Sequence, residues 1–252
     1  MLNNCTIWIG LPAFNEEKAI EKVLSSVLNL KKRIKKIKVI ILNDGSKDDT
    51  LINAKKFKKK IPLHIINNKK NKGLGNAIYS IILFFKKKSS TRDKLVLMDC
   101  DNTHDPNQII SMLRKVKKRK SFVVIASRFQ KGSVVKNVPF LRNILSLTAF
   151  AVFNIFFKTK GIRDFTSGYR LYDKKTIEKF FSIIGNKYKP AAGFEMQLEI
   201  LLKLRKNNIN FFEIPINLNY KKKPTGSKMN IIKTILNYLR LITLRIFNYR
   251  LM

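Results

Sequence analysis

The chain has 252 residues, with 52 Lys+Arg against 16 Asp+Glu and a formal net charge of +36. Hydrophobic residues make up 45% and the mean hydropathy is −0.14, which excludes a disordered tail and a polytopic membrane protein. At this length one large or two small domains can bury a core without staples, and Cys5 and Cys100 supply neither a disulfide framework nor a zinc pattern, which fits a reducing compartment.

No unbroken apolar run reaches the roughly 18 residues that a spanning helix needs, and the start, MLNNCTIWIGLP, reads as no signal peptide. The expectation is a protein on the cytoplasmic side. A surface this basic should attract nucleic acid, anionic lipid or a phosphorylated substrate. Lysine supplies 40 of the cations, however, and asparagine is common at 24, as an A/T-rich coding sequence would dictate for any function.

Strand and helix signals alternate from the start. Short β-branched runs lie at Thr6–Leu11, Lys38–Leu42, Leu63–Ile66, Lys94–Met98 and Phe122–Ala126. Helix-period stretches fall between them at Glu17–Leu30, Asp49–Phe57, Asn76–Phe85 and Gln108–Val116. Continuous apolar strands alternating with helices predict a doubly wound α/β domain, its mostly parallel sheet covered on both faces. Further on, Pro139–Phe157 reads as a helix apolar on nearly all sides but carrying Arg142, Asn143, Ser146 and Asn154. A compact loop at Arg163–Arg170 follows, then helices around Thr176–Ile183 and Glu195–Leu204, a strand at Phe211–Asn219 and a last helix to Met252. The expected division is a domain over 1–229 and an amphipathic helix over 230–252.

In such sheets ligands bind beyond the carboxyl ends of the strands, and polar residues follow each of the first five. Asp99-Cys100-Asp101 is the sharpest set: two carboxylates one residue apart, where a strand gives way to a loop, can converge on Mg²⁺ or Mn²⁺ shared with substrate phosphates. His104 reads as a solvated loop histidine rather than a third ligand, and Asp105-Pro106 as a helix start. Asp44 and Glu16 can accept hydrogen bonds from a nucleoside, with helix capping as the alternative for Glu16. Pro12 and Phe14 would form an apolar wall for a base. Gly73-Leu74-Gly75 permits close approach of the backbone to a ligand, with Lys72 placed to meet phosphate.

The motifs LPAFNEE, NDGSxDxT, NKGxG, MDxDxxHxP and SRF, in this order at strand ends, resemble the inverting glycosyltransferases of family 2, with the GT-A fold. Arg142-x-x-x-Ser146, Arg163-Asp164-x-x-Ser167-Gly168-x-Arg170-Leu171-Tyr172, Gly193-Phe194-Glu195 and Lys223-Pro224-x-Gly226-Ser227-Lys228 are similar to the dolichol-phosphate mannosyltransferase branch and its bacterial polyprenyl-phosphate relatives. The resemblance covers residues 5–232. It implies that Pro12, Phe14, Glu16 and Asp44 hold the nucleoside of a nucleotide sugar, and that Asp99 and Asp101 hold metal and diphosphate, assisted by Thr103. It further implies that Arg128, Arg142, Ser146, Ser227 and Lys228 grip the lipid phosphate or the donor diphosphate. Arg128 joins the two aspartates in the expected catalytic set. Relatives usually carry arginine where this chain has Lys223, which keeps the charge but loses the two-pronged contact.

The expected reaction is metal-dependent transfer of one sugar, with GDP-mannose favoured over a UDP-sugar, to a polyprenyl phosphate. A phosphate nucleophile is already anionic near neutral pH and needs no general base. A neutral hydroxyl acceptor would need one, for which Glu195 or Asp164 is available. The last helix sets Asn230, Lys233, Asn237, Arg240 and Asn248 in a narrow polar stripe among Ile231, Ile232, Ile235, Leu236, Leu239, Ile242, Ile246 and Phe247. Such a helix is expected to lie in a membrane surface, with packing on the core or on a membrane-embedded partner protein as the alternative. A nucleic-acid module fits the charge but not the acids at the strand ends, which would repel it.

Overall fold

The computed structural model describes residues 5–116, 119–226 and 230–250, with backbone alone for 244–250. The first half builds β1 (Ile7–Ala13), α1 (Glu17–Leu30), β2 (Ile37–Asp44), α2 (Thr50–Lys55), β3 (Leu63–Asn68), α3 (Leu74–Lys88), β4 (Lys94–Leu97), α4 (Gln108–Lys115) and β5 (Phe122–Ser127). The second half adds β6 (Val134–Lys136), α5 (Phe140–Phe157), β7 (Arg170–Asp173), α6 (Lys174–Ile184), α7 (Glu195–Leu204), β8 (Asn210–Pro215), β9 (Asn217–Asn219), a 3-10 turn at Tyr220–Lys222 and α8 (Ile231–Arg250). One seven-stranded sheet runs β3-β2-β1-β4-β7-β5-β8. It is parallel except for the two pairings made by β7.

The two-residue period of the strands splits the core in two. Ile7, Ile9 and Leu11 face α1 and α4 with Val39, Ile41, Val96 and Val124. Trp8 faces the other side with Ile40, Leu42, Leu95, Leu97, Val123 and Ile125, under α3 and α7. Gly10 marks where α3 presses closest on the sheet, because a Cβ there would meet Ile81 Cγ2 at 2.5 Å. This close packing fixes the start of α3, and with it the loop that leads in from β3.

One strand expectation is corrected, and one further strand had no expectation at all. Phe211–Asn219 is not one strand: it turns at Ile216 and divides into β8, beside β5, and β9, which pairs with β6 in a small second sheet. β7 had no clear signal, being only four residues long with charges at both ends. Both charges are absorbed by the fold. Arg170 is fully buried and donates to the carbonyls of Phe165 and Gln197, while Asp173 accepts from the N–H groups of Ser121, Phe122 and Thr176.

The absence of a helix of spanning length is also corrected. α5 has 18 residues and is long and apolar enough, by length and composition, to cross a membrane. Counting unbroken apolar runs missed it because Arg142, Asn143, Ser146 and Asn154 interrupt the run, whereas a helix-long average tolerates them. Much of it is bare, with Phe140 at 80% and Ile155 at 75% exposure, while Phe153 and Phe157 anchor the inner face. α8 packs beside it, Tyr238 meeting Phe153 edge-on at 5.2 Å and Ile242 buried.

Candidate active site

The carboxyl ends of the strands open into a cavity of about 520 Å³. Pro12, Phe14 and Glu16 line it after β1, Asp44 at the end of β2, Lys72 before α3, and Asp99, Cys100 and Asp101 after β4. All of the residues assigned to a donor from the sequence therefore share one space. A second cavity of about 260 Å³ lies between the sheet edge, α5 and α8, and there Arg128, Ser146 and Thr103 join Asp99 and Asp101. Arg142 lines both cavities, as do the two aspartates.

Asp44 is buried and shapes the cavity floor. Its Oδ2 accepts from Gly73 N at 2.8 Å, and its Oδ1 from Lys72 N at 3.0 Å and Asn68 Nδ2 at 2.8 Å. Gly73 has φ +93°, and a Cβ on it would collide with the Ala192 carbonyl, so the sequence needs glycine here. Glu16 is buried, its N–H donating to Thr50 Oγ1 at 2.7 Å.

The aspartate pair is asymmetric. Asp101 Oδ1 accepts from Thr103 N–H at 3.1 Å and Thr103 Oγ1 at 2.6 Å, and its Oδ2 from Lys223 Nζ at 2.9 Å. Burial opposes ionisation of Asp101, but Lys223, His104 and the Thr103 hydroxyl outweigh it and hold the carboxyl below its ordinary range. Among the described residues none donates to the Asp99 carboxylate. Burial pushes Asp99 up, with Asp101 adding to the rise and His104 opposing it. His104 is not solvated: at 7% exposure it stacks on Tyr169 with centroids 4.8 Å apart, and its Nδ1 accepts from Asp99 N at 3.1 Å. It orients the strand end.

A partly exposed carboxylate to which none of the described residues donates, beside a buried second one, suits a divalent cation. No cluster of three or more His, Cys, Asp or Glu side chains is present among the described residues. An ion held by Asp99 and Asp101 would therefore complete its shell with water and substrate phosphates, the habit of Mg²⁺.

On the second cavity's wall, Arg128 is committed to Asp164. Nε and Nη2 reach its two carboxylate oxygens at 2.8 and 2.7 Å, and Nη2 also meets Thr166 Oγ1. Burial disfavours the charged form of Asp164, but Arg128 and the surrounding N–H donors prevail and hold its carboxyl below the usual range. So weak a base is unsuited to activating a hydroxyl. Arg142 instead lies over the Tyr220 ring, 5.2 Å from its centroid, and is placed by the i, i+4 spacing on the same face of α5 as Ser146. Lys223 lines the first cavity rather than the second. Ser227 and Lys228 lie outside the described residues.

The sequence did not single out Phe194, Thr234 or Asn237 as site residues, yet all three line the first cavity. The polar stripe of α8 was the available signal: Asn230, Lys233 and Asn237 face this cavity, and Asn237 Nδ2 donates to Glu195 Oε1 at 3.0 Å. Glu195 is buried, and its Oε2 has no hydrogen-bond partner among the described residues. The positions Ile246, Phe247 and Asn248 on the same helix fall outside the described side chains.

A mostly parallel sheet with an antiparallel insertion, a nucleotide-sized cavity at its carboxyl edge and an Asp-x-Asp pair in that cavity define a GT-A fold. Glucosyl-3-phosphoglycerate synthase from Mycobacterium tuberculosis, solved with Mn²⁺, UDP and glucosyl-3-phosphoglycerate, superposes with a TM-score of 0.60 at 18% identity, over 85% of this chain and 70% of that one. The chain belongs to glycosyl transferase family 2, which matches residues 8–181. The dolichol-phosphate mannosyltransferase of Pyrococcus furiosus is 32% identical over 96% of this chain, which spans 62% of that protein's length. The dolichyl-phosphate β-glucosyltransferase of Dictyostelium discoideum is 27% identical over 93% of this chain and 74% of its own.

Proposed function

We propose that the chain transfers a single sugar from a nucleotide-sugar donor in the larger cavity to a polyprenyl phosphate entering through the smaller one, giving a lipid-linked monosaccharide. The observation that carries this reading is the meeting of the two cavities at Asp99, Asp101 and Arg142. At this shared wall a leaving diphosphate and an attacking phosphate could both be held.

Asp44, Glu16, Pro12 and Phe14 would seat the nucleoside, with Lys72 near its phosphates. Asp99 and Asp101 would hold Mg²⁺ or Mn²⁺, which when bound neutralises charge on a departing diphosphate. Arg142 and Ser146, one helical turn apart, would orient the acceptor phosphate, with Arg128 stiffening the wall behind them through Asp164. Two anions must be brought together, so cation placement matters more than a base. The names of the relatives support a dolichol- or polyprenol-type acceptor and leave mannose and glucose both open as the sugar. GDP-mannose is the leading donor.

The exposed apolar residues of α5 and α8, together with the high positive charge, support a peripheral position on the cytoplasmic face of a membrane. Glu195 Oε2, which has no hydrogen-bond partner among the described residues and lies in the larger cavity, favours one second reading, a hydroxyl acceptor with Glu195 as general base. Incubation of the protein with a panel of radiolabelled nucleotide sugars, Mn²⁺ and a polyprenyl phosphate decides between them. The proposal expects label in the organic phase with one donor. Label that stays aqueous with every donor, or moves only to hydroxyl acceptors, would overturn it.

A further inference from the structure

Lys223 does something that a plain phosphate-gripping lysine would not. Its ammonium sits on Asp101 Oδ2 at 2.9 Å, and both side chains are only 13% exposed. The other Asp101 oxygen is taken by Thr103, so neither oxygen of that carboxylate is without a donor. A divalent ion arriving at Asp99 and Asp101 would meet a cation already in contact with one of its two anchors. Like charges at such distances in a half-buried site repel strongly, so ion and ammonium exclude one another.

The segment that carries Lys223 is built to exchange. It lies between the turn at Tyr220–Lys222 and the start of α8, with no strand or helix at residues 223–226. It rests on the aspartate loop through the Lys223–Asp101 pair and through Asn102 Nδ2, which donates to Lys222 O at 3.3 Å. A single lysine side chain can therefore leave without unfolding a regular element. Lys223 also faces the same cavity as Arg142 and Lys72, so a displaced ammonium remains among groups suited to phosphate.

We propose that Lys223 is a resident counter-cation on Asp101, that the divalent ion displaces it, and that the displacement frees its ammonium for a phosphate. This rests on the metal reading of Asp99 and Asp101. Loading of the ion then creates a positive group that was sequestered before, coupling one binding event to the next. The paired state also relieves the repulsion between the two aspartates while no ion is present.

Mn²⁺ binding to the full chain without nucleotide, followed by electron paramagnetic resonance of the free ion, tests the exchange directly. Lys223→Met should bind Mn²⁺ about tenfold more tightly than the wild type, the scale set by losing one charge-assisted hydrogen bond to the competitor. Lys222→Met, which removes the same charge from the exposed neighbour, should change affinity less than about twofold. Asp101→Asn should lose Mn²⁺ binding. If Asp101→Asn binds Mn²⁺ as the wild type does, the metal reading fails; if it loses binding while Lys223→Met matches the wild type, the exchange alone fails.

Acylation of the Lys223 amine, quantified by mass spectrometry, gives a second readout. Mn²⁺ should raise its reactivity several-fold, and later addition of either a nucleoside diphosphate or a short polyprenyl phosphate should protect it. The protecting ligand identifies the source of the phosphate. Unchanged reactivity on adding Mn²⁺, or protection by neither ligand, would overturn the proposal.

Discussion

Asp164→Asn asks whether the wall of the acceptor-side cavity depends on one buried ion pair. The Asp164 side chain is fully buried and the Arg128 side chain is 21% exposed, with the closest contact at 2.7 Å. Removing one member of a buried pair costs about 3–5 kcal/mol because the survivor keeps an uncompensated charge. Arg128 retains some access to the cavity, which places the expectation at the lower end, about 3 kcal/mol. For a chain of this size that lowers the melting temperature by roughly 6–12 °C. The pH dependence carries a sign of its own. Arg128 depresses the native Asp164 carboxyl against the pull of burial, so the stabilisation is fully present above the unfolded value of about 3.9 and disappears as pH falls toward the lower native value. Urea denaturation of both proteins at stepwise pH measures this. The gap between wild type and variant should be widest near neutrality and shrink below about pH 4. A loss under about 1 kcal/mol near neutrality, the scale of an exposed pair, or a gap independent of pH, would refute the assignment.

Other expectations are more local. Gly73→Ala places a Cβ against the Ala192 carbonyl at φ +93°, with a cost of about 1–3 kcal/mol and weakened binding of GDP or UDP by calorimetry; unchanged stability and affinity would show that the loop is not held as described. Arg142→Met should lower transfer kcat/KM by roughly two orders of magnitude or more, the loss of one or two charged hydrogen bonds, while the melting temperature barely moves. A variant with full transfer would remove Arg142 from the phosphate site. The double change Phe140→Asp and Ile155→Asp acts on side chains 80% and 75% exposed, so it should leave stability within about 0.5 kcal/mol yet abolish co-sedimentation with anionic vesicles. Retained sedimentation would separate α5 from the membrane.

The sheet was legible because its signal is local: β-branched runs and helix periods alternate, and each of the first five predicted strands has its counterpart. β7 was not, since four residues with a charge at each end carry no period, and their strand character comes from β4 and β5 on either side. The division of Phe211–Asn219 was hidden for the opposite reason, because an apolar alternating run continues across a change of sheet. Within the site, the common cavity of Pro12, Phe14, Glu16, Asp44, Lys72, Asp99, Cys100 and Asp101 was legible from their place after strands, which fixes direction even when contacts are unknown. Pairings were another matter. Neither the hold of Lys223 on Asp101 nor that of Arg128 on Asp164 follows from spacing, because the partners lie 122 and 36 residues apart. The polar stripe of α8 was visible, but a helix whose polar side lines a cavity has the same amphipathic pattern as one lying on a membrane, and Ile232, Leu236 and Leu239 on its apolar side stay exposed.

The charge that dominates the composition is arranged to leave the site alone. Lys31, Lys32, Arg33, Lys35 and Lys36 join α1 to β2, Lys56, Lys58, Lys59 and Lys60 join α2 to β3, and Lys86, Lys87 and Lys88 close α3. In a parallel sheet these connections return to the strand starts, the edge opposite the cavities. Cations are also favoured at helix C-termini by the helix dipole, so a sequence rich in lysine can accommodate them there at little cost. The acids Glu16, Asp44, Asp99, Asp101 and Glu195 gather at the other edge, around the donor-side cavity. A polyanion attracted to the lysine-rich edge would not enter the site, and the overall charge therefore says little about the substrate. What bears on the proposed substrate is the cations that line the larger cavity beside these acids, Lys72, Arg142, Lys223 and Lys233, where a bound phosphate would otherwise face unscreened aspartates.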